Sequence, residues 1–263
     1  MLIFTTDKRR LLEHFRKDPV LFAYHIGDLD DFYFPYCQWA ATYGKSPRID
    51  DVLLLYTGGT TPTLHAFGLT ERFPELLQGY LPLAPKRFYC HFLKQHGGLL
   101  RQFGSVTPLG SHLKMRLNRA AFPAHERAAA VEGSIVRLDR SREAALAELY
   151  AAAYPDNYFV PRMLESGKYY GYLEHGRIVA AAGVHVHSDV HKIAVLGNIA
   201  THPDFRGRGL ATLLTGRLAA ELADEGKLVC LNVKADNAAA VRCYEKLGFE
   251  KVHEYEEALF ELK

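Results

Sequence analysis

Cysteine is scarce in this chain. Four occur among 263 residues, at positions 37, 90, 230 and 243, and no two form a Cys-x-x-Cys pair. That argues against a disulfide framework and against a paired-thiol redox or zinc motif; reduced thiols in a cytoplasmic protein are expected. Long apolar runs are lacking too. The longest, "IVAAAGV" at 178–184, is far short of the ~20 residues that cross a bilayer. The opening "MLIFTTDKRR" reaches charged residues too soon for a secretory signal, so no membrane association is expected. Nor does one sign of charge dominate, since 32 Lys+Arg face 30 Asp+Glu. Residues 1–127 hold 16 basic and 11 acidic residues, and residues 128–263 hold 16 and 19. So mild an asymmetry argues against a nucleic-acid partner, which needs a strongly basic face.

What is present suits two domains. The chain exceeds the commonest single-domain length, and 48% of it is apolar, ample for a core. "NRAAFPAHERAAAVEGS", 118–134, has no strand periodicity and contains Pro, Gly and small residues, as a linker does. Domains at 1–125 and 130–263 are expected. The first is α+β in character. A charged helix is expected over 8–16, with strands at 52–56, 63–69, 87–93 and 113–117. "TGGTTP" supplies a hairpin turn between the first two of these strands. The second half reads as an α/β alternation, β-α-α-β-β-β-α-β-α-β. Its strands are expected at 134–138, on both sides of "EHGR" within 168–188, at 192–201 and at 228–233, with a closing strand or two. Its helices are expected at 142–154, 161–167, after the glycines at 207–209, and at 237–248.

"HPDFRGRGLATLL", 202–214, carries the chemistry. A strand ends, a glycine-rich turn follows, and a leucine-faced helix begins. The first turn of a helix has backbone N–H groups without intrahelical acceptors, and the helix dipole adds positive charge there. Gly207 and Gly209 allow a tight curl and close approach of a ligand, and Arg206 and Arg208 add charge. Such a turn suits a phosphate or diphosphate. No Lys-Ser or Lys-Thr pair follows, which rejects a P-loop. Position 212 is Thr where a dinucleotide fingerprint needs Gly, and no acid stands at the expected distance. "RGRGLA" instead fits R/Q-x-x-G-x-G/A, with Arg206, Gly209 and Ala211 in the fixed places.

With this motif and "LNVKADNAAAVRCYEKLGFEKV" in the same order, residues 134–260 resemble the GCN5-related N-acetyltransferase (GNAT) superfamily, in particular its FR47-like branch. In the second motif Asn237, Ala240, Tyr244, Gly248 and Phe249 are in register. The resemblance implies a GNAT fold in the carboxyl-terminal half, in which strands 193–201 and 228–233 splay into a V. It implies that the backbone of Ile199, Ala200 and Thr201 pairs with the pantetheine arm of acetyl-CoA. Amides of Gly207, Arg208, Gly209, Leu210 and Ala211, beside Arg206, would hold the pyrophosphate. Asn237 would bond the pantetheine or its surroundings. Tyr244 would protonate the departing thiolate, or simply pack in the core. The implied activity is acyl transfer to a primary amine of a small molecule, an amino acid or a peptide. A non-catalytic acyl-CoA-binding regulator is the alternative, and a dinucleotide-binding domain ranks last.

No general base is assigned. His185 and His187 alternate on one strand and share a face. With His191 they suggest a surface cluster rather than a metal site, and no metal is expected. Asn198 cannot act as a base. Residues 1–120 contain no R-x-x-G-x-G/A motif, and their glycine pairs at 58–59 and 97–98 read as turns. This half is expected to be a degenerate copy of the fold or a partner domain. The aromatic stretch 28–40, with Asp28, Asp30 and Asp31, reads as inter-domain core or as an amine pocket. No oligomeric state follows from the sequence.

Overall fold

A computed structural model describes residues 2–44, 48–122 and 135–263. The chain divides into two compact units, and the division falls within three of its strands. One unit holds residues 1–114, 234–236 and 253–263; the other holds 115–233 and 237–252. Of the expected linker, residues 123–134 lie outside the described residues. Residues 118–122 pack on the second unit: the Asn118 amide donates to the Gly248 carbonyl, and Phe122 is buried.

The first unit contains β1 (Leu2–Phe4), β2 (Cys37–Tyr43), β3 (Ile49–Tyr56), β4 (Thr63–Ala66) and β5 (Arg87–Phe92), in that order across its sheet. Neighbours are antiparallel except β4 and β5, which run parallel from Thr63↔Tyr89 to Ala66↔Phe92. The carboxyl-terminal part of the last strand, β12 (Phe249–Leu262), pairs antiparallel with β5. Helices α1 (Lys8–Phe15), α2 (Ala23–Gly27), α3 (Phe73–Tyr80) and α4 (Gly97–Phe103) complete it. α3 forms because Phe73, Leu76, Leu77 and Tyr80 recur at helical spacing, and all four are buried. Each such burial stabilises the unit by about 1.5–3 kcal/mol. Two sequence expectations differ from this. Gly97 and Gly98 open α4 rather than a turn, and the strand expected at 113–117 is the end of a longer one, β6 (Gly104–Leu117). The aromatic stretch enters this unit's own core: Trp39 is buried, its ring 5.6 Å from Phe15 and 6.3 Å from Phe34.

The second unit follows the expected alternation. β7 (Ile135–Arg137) leads to α5 (Glu143–Ala153), and a 3-10 segment at Pro161–Ser166 stands where a second helix is expected. β8 (Tyr170–Glu174), β9 (Arg177–Ser188) and β10 (Ile193–Thr201) form an antiparallel meander. α6 (Leu210–Asp224) then crosses to β11 (Leu228–Lys234), which runs parallel to β10. α7 (Ala238–Lys246) precedes β12. α6 covers the sheet with Leu210, Leu214, Leu218 and Leu222, all buried at i, i+4 spacing. This is the GNAT arrangement. The first unit repeats its centre, since β4, α3 and β5 follow the same strand–helix–parallel-strand order as β10, α6 and β11.

Candidate active site

The site begins where β10 and β11 part. Their parallel register runs from Ile193↔Leu228 to Leu196↔Leu231, while β10 continues to Thr201 and β11 to Lys234. On its other side β10 stays paired, as far as Thr201↔Ala180, with an irregularity between Gly197 and Ala200. Asn198 sits in that irregularity with φ +53°, the left-handed region that a non-glycine residue seldom enters. Packing holds it there. Its carbonyl accepts from the Tyr150 hydroxyl at 2.9 Å, and its side-chain amide donates to the Tyr169 hydroxyl at 3.0 Å. Tyr169 in turn donates to the Val184 carbonyl at 2.9 Å. Burial raises the Tyr150 phenol well above its ordinary pKa, so it remains a donor. Ile199, Ala200 and Thr201 follow directly, on the stretch of β10 beyond its register with β11.

After Thr201 the chain makes a 3-10 turn over Pro203–Phe205 and enters the glycine motif. Gly207 has φ +78° and Gly209 φ +76°, conformations that cost an L-residue roughly 1–2 kcal/mol. Gly209 is the N-cap residue of α6, and no side chain caps this helix. α7 differs, because the Asn237 side chain caps it by accepting from the Ala240 amide at 3.1 Å. Among the described residues, the α6 start is thus a glycine turn whose first amides face no capping side chain. It fits an anion such as a diphosphate.

The two arginines of the motif are tied to the protein itself. Arg206 donates from Nε to the Thr201 carbonyl and from Nη2 to the Ala153 carbonyl, each at 3.3 Å. Arg208 pairs with Glu174 at 3.3 Å and lies over the Phe205 ring at 5.3 Å. Leu210 and Ala211 open α6, and Leu210 is buried beneath it.

Tyr244 lies on α7, nearly buried, its ring 6.1 Å from that of Phe249. Thr212 Oγ1 meets Cys243 Sγ at 3.1 Å. This contact joins α6 to α7 one residue after Ala211 and one before Tyr244. Burial pushes the Tyr244 phenol well up, and Cys243 and Tyr154 add to the rise. The hydroxyl therefore carries its proton at neutral pH.

The histidines separate. His185 lies against the site: a Cβ on Gly197 would stand 2.4 Å from its ring, so a side chain there would displace that ring. His187 lies instead with Asp189 and Glu225, their ligand atoms within 4.8 Å of one another. The ammonium of Lys227 bonds Asp189 at 2.7 Å and also bonds Glu225, supplying the positive charge those carboxylates need. The sequence reading missed Tyr150, Tyr169 and the bulge at Asn198. A left-handed Asn inside a strand-like run gives no local signal.

Comparison with known proteins bears on the fold. The family model described as FR47-like protein matches residues 169–258. A stretch of 59 residues is 48% identical to a [ribosomal protein bS18]-alanine N-acetyltransferase of Salmonella typhimurium, covering 22% of this chain and 40% of that relative. The match thus spans about two-fifths of that relative's length. Among solved structures, a GNAT-family acetyltransferase of Novosphingobium aromaticivorans aligns with TM-score 0.58 at 22% identity, over 80% of this chain and 88% of that one. A tandem GNAT protein from the clavulanic acid biosynthesis pathway aligns over 99% of this chain and 98% of its own, with TM-score 0.59 and 14% identity. Residues 169–258 are thus similar to FR47-like proteins, and the solved neighbours share the GNAT fold. The tandem neighbour shares the fold along essentially the whole chain.

Proposed function

We propose that this protein is an acyl-CoA-dependent N-acyltransferase that moves acetyl from acetyl-CoA to a primary amine in the cytoplasm. One observation carries the reading. An uncapped helix start with two left-handed glycines directly follows a strand that has parted from its parallel neighbour. The amides of 207–211 bind the diphosphate, and Arg206 holds the turn in shape. The backbone of Ile199, Ala200 and Thr201 accepts the pantetheine arm as an added strand. Asn237 caps α7 and borders that arm.

When bound, acetyl-CoA supplies an activated acyl carbon and a thiolate leaving group. Tyr244 gives its proton to the departing sulfur as the amine nitrogen bonds the acyl carbon and the carbon–sulfur bond breaks. The proton shed by the amine passes to solvent, from which the Tyr244 phenol is restored. The acceptor is an amine of a small molecule, an amino acid or a peptide. The bS18-alanine acetyltransferase match supports the class of reaction.

The test is a titration with acetyl-CoA followed by a thiol-release assay over a panel of amines. Binding with turnover on at least one amine is expected. Binding without turnover on any amine would instead favour a regulatory acyl-CoA-binding protein.

A further inference from the structure

The first unit repeats the strand–helix–strand centre of the GNAT fold, yet its loop between β4 and α3 is built oppositely to the one before α6. Asp51, on β3 and fully buried, reaches this loop. Its Oδ1 accepts from the Leu69 amide at 2.7 Å and the Thr70 amide at 3.2 Å, and its Oδ2 accepts from the Thr70 hydroxyl. Neither α3 nor α6 has a side-chain cap, but a carboxylate of the chain itself holds the amides of Leu69 and Thr70, just before the N-cap Arg72.

Volume and donor count agree with this. A Cβ on Gly68 would fall 1.8 Å from the Phe73 side chain, whereas a Cβ on Gly207 or Gly209 would meet nothing within 4 Å. Pro74 occupies the first turn of α3 and removes an N–H donor from it. Just past β4, the buried Lys114 ammonium sits among the rings of Phe67, Tyr255 and Tyr24, at 4.8, 4.9 and 5.3 Å. The chain's own cation fills the aromatic surroundings there.

We propose that the amino-terminal unit is a GNAT copy closed by its own side chains. Asp51 takes the position of the coenzyme's diphosphate, so the protein binds one acyl-CoA per chain. The stoichiometry rests on the functional reading above; the closure by Asp51 does not. A diphosphate at this loop would have to displace a buried carboxylate that holds three donors, and would meet its like charge.

Two measurements on the full chain test this. Calorimetric titration with acetyl-CoA should give one equivalent per chain, and Gly209→Asp should abolish it. Hydrogen–deuterium exchange should show coenzyme slowing the peptide around 205–213 by at least about tenfold. The peptide around 67–73 should already exchange slowly and stay unchanged. Asp51→Ala should speed exchange at 67–73; should it fail to fold, the isosteric Asp51→Asn should do so to a smaller extent. Two equivalents or coenzyme-dependent protection at 67–73 would overturn the closure, whereas binding that survives Gly209→Asp without that protection would defeat the functional reading. Slow exchange at 67–73 with no coenzyme binding anywhere would uphold the closure and defeat the functional reading.

Discussion

The Tyr150 hydroxyl donates to the Asn198 carbonyl at 2.9 Å, and through this bond α5 fixes the bulge at which β10 leaves β11. Both groups are buried. Tyr150→Phe would leave the carbonyl without that donor, at a cost of about 1–3 kcal/mol. Urea denaturation should show the loss, and acetyl-CoA affinity should fall with it. Stability equal to that of the unmutated chain would mean the bulge is held by something else.

Arg206 bridges the carbonyls of Thr201 and Ala153. It acts as a positioning residue, clasping the end of α5 to the glycine turn. Arg206→Gln should weaken acetyl-CoA binding only about three- to tenfold, because the backbone amides remain. The dependence of Kd on ionic strength should not change. A flattened salt dependence would reveal a direct guanidinium–phosphate pair instead.

Tyr244→Phe removes a proton donor but keeps the ring that packs against Phe249. Turnover should drop by about a hundredfold while acetyl-CoA affinity stays the same. Burial holds the phenol protonated, so no loss of rate attributable to Tyr244 is expected between about pH 6 and pH 9. A turnover equal to the unmutated value would end its role as the acid.

Acid should destabilise the first unit early. Burial, helped by nearby Lys17, lowers His14 from 6.5 to about 4, and burial drives His25 and His65 well below 6.5. Below pH 6.5 the unfolded chain takes up protons that the folded chain refuses. The stabilisation is therefore complete above pH 6.5 and is lost as pH falls toward 4. His14 alone accounts for about 3 kcal/mol across that range. Thermal unfolding midpoints measured from pH 7.5 to pH 4.5 should fall steadily, and less steeply in His14→Gln.

Much of the second unit was legible because its signals are local. The leucine spacing after Gly209, the Asn237 cap and Gly248 past the end of α7 all lie within a few residues of what they determine. The first unit hid more. The first half of β6 is largely exposed, so 104–112 shows no alternating pattern, and β1 has only three residues. The relationships that shape the two loops are long-range. Asp51 lies 18 residues before Leu69, Ala153 lies 53 before Arg206, and Tyr150 lies 48 before Asn198. No window of sequence contains both partners, so nothing short of the folded chain could reveal them.

Amide resonances of Gly207 and Gly209, followed by NMR as acetyl-CoA is added, address the centre of this account directly. They should move strongly and saturate at one equivalent, as amides do when they begin to donate to a phosphate oxygen. Resonances that stay fixed while coenzyme binds elsewhere on the chain would contradict it.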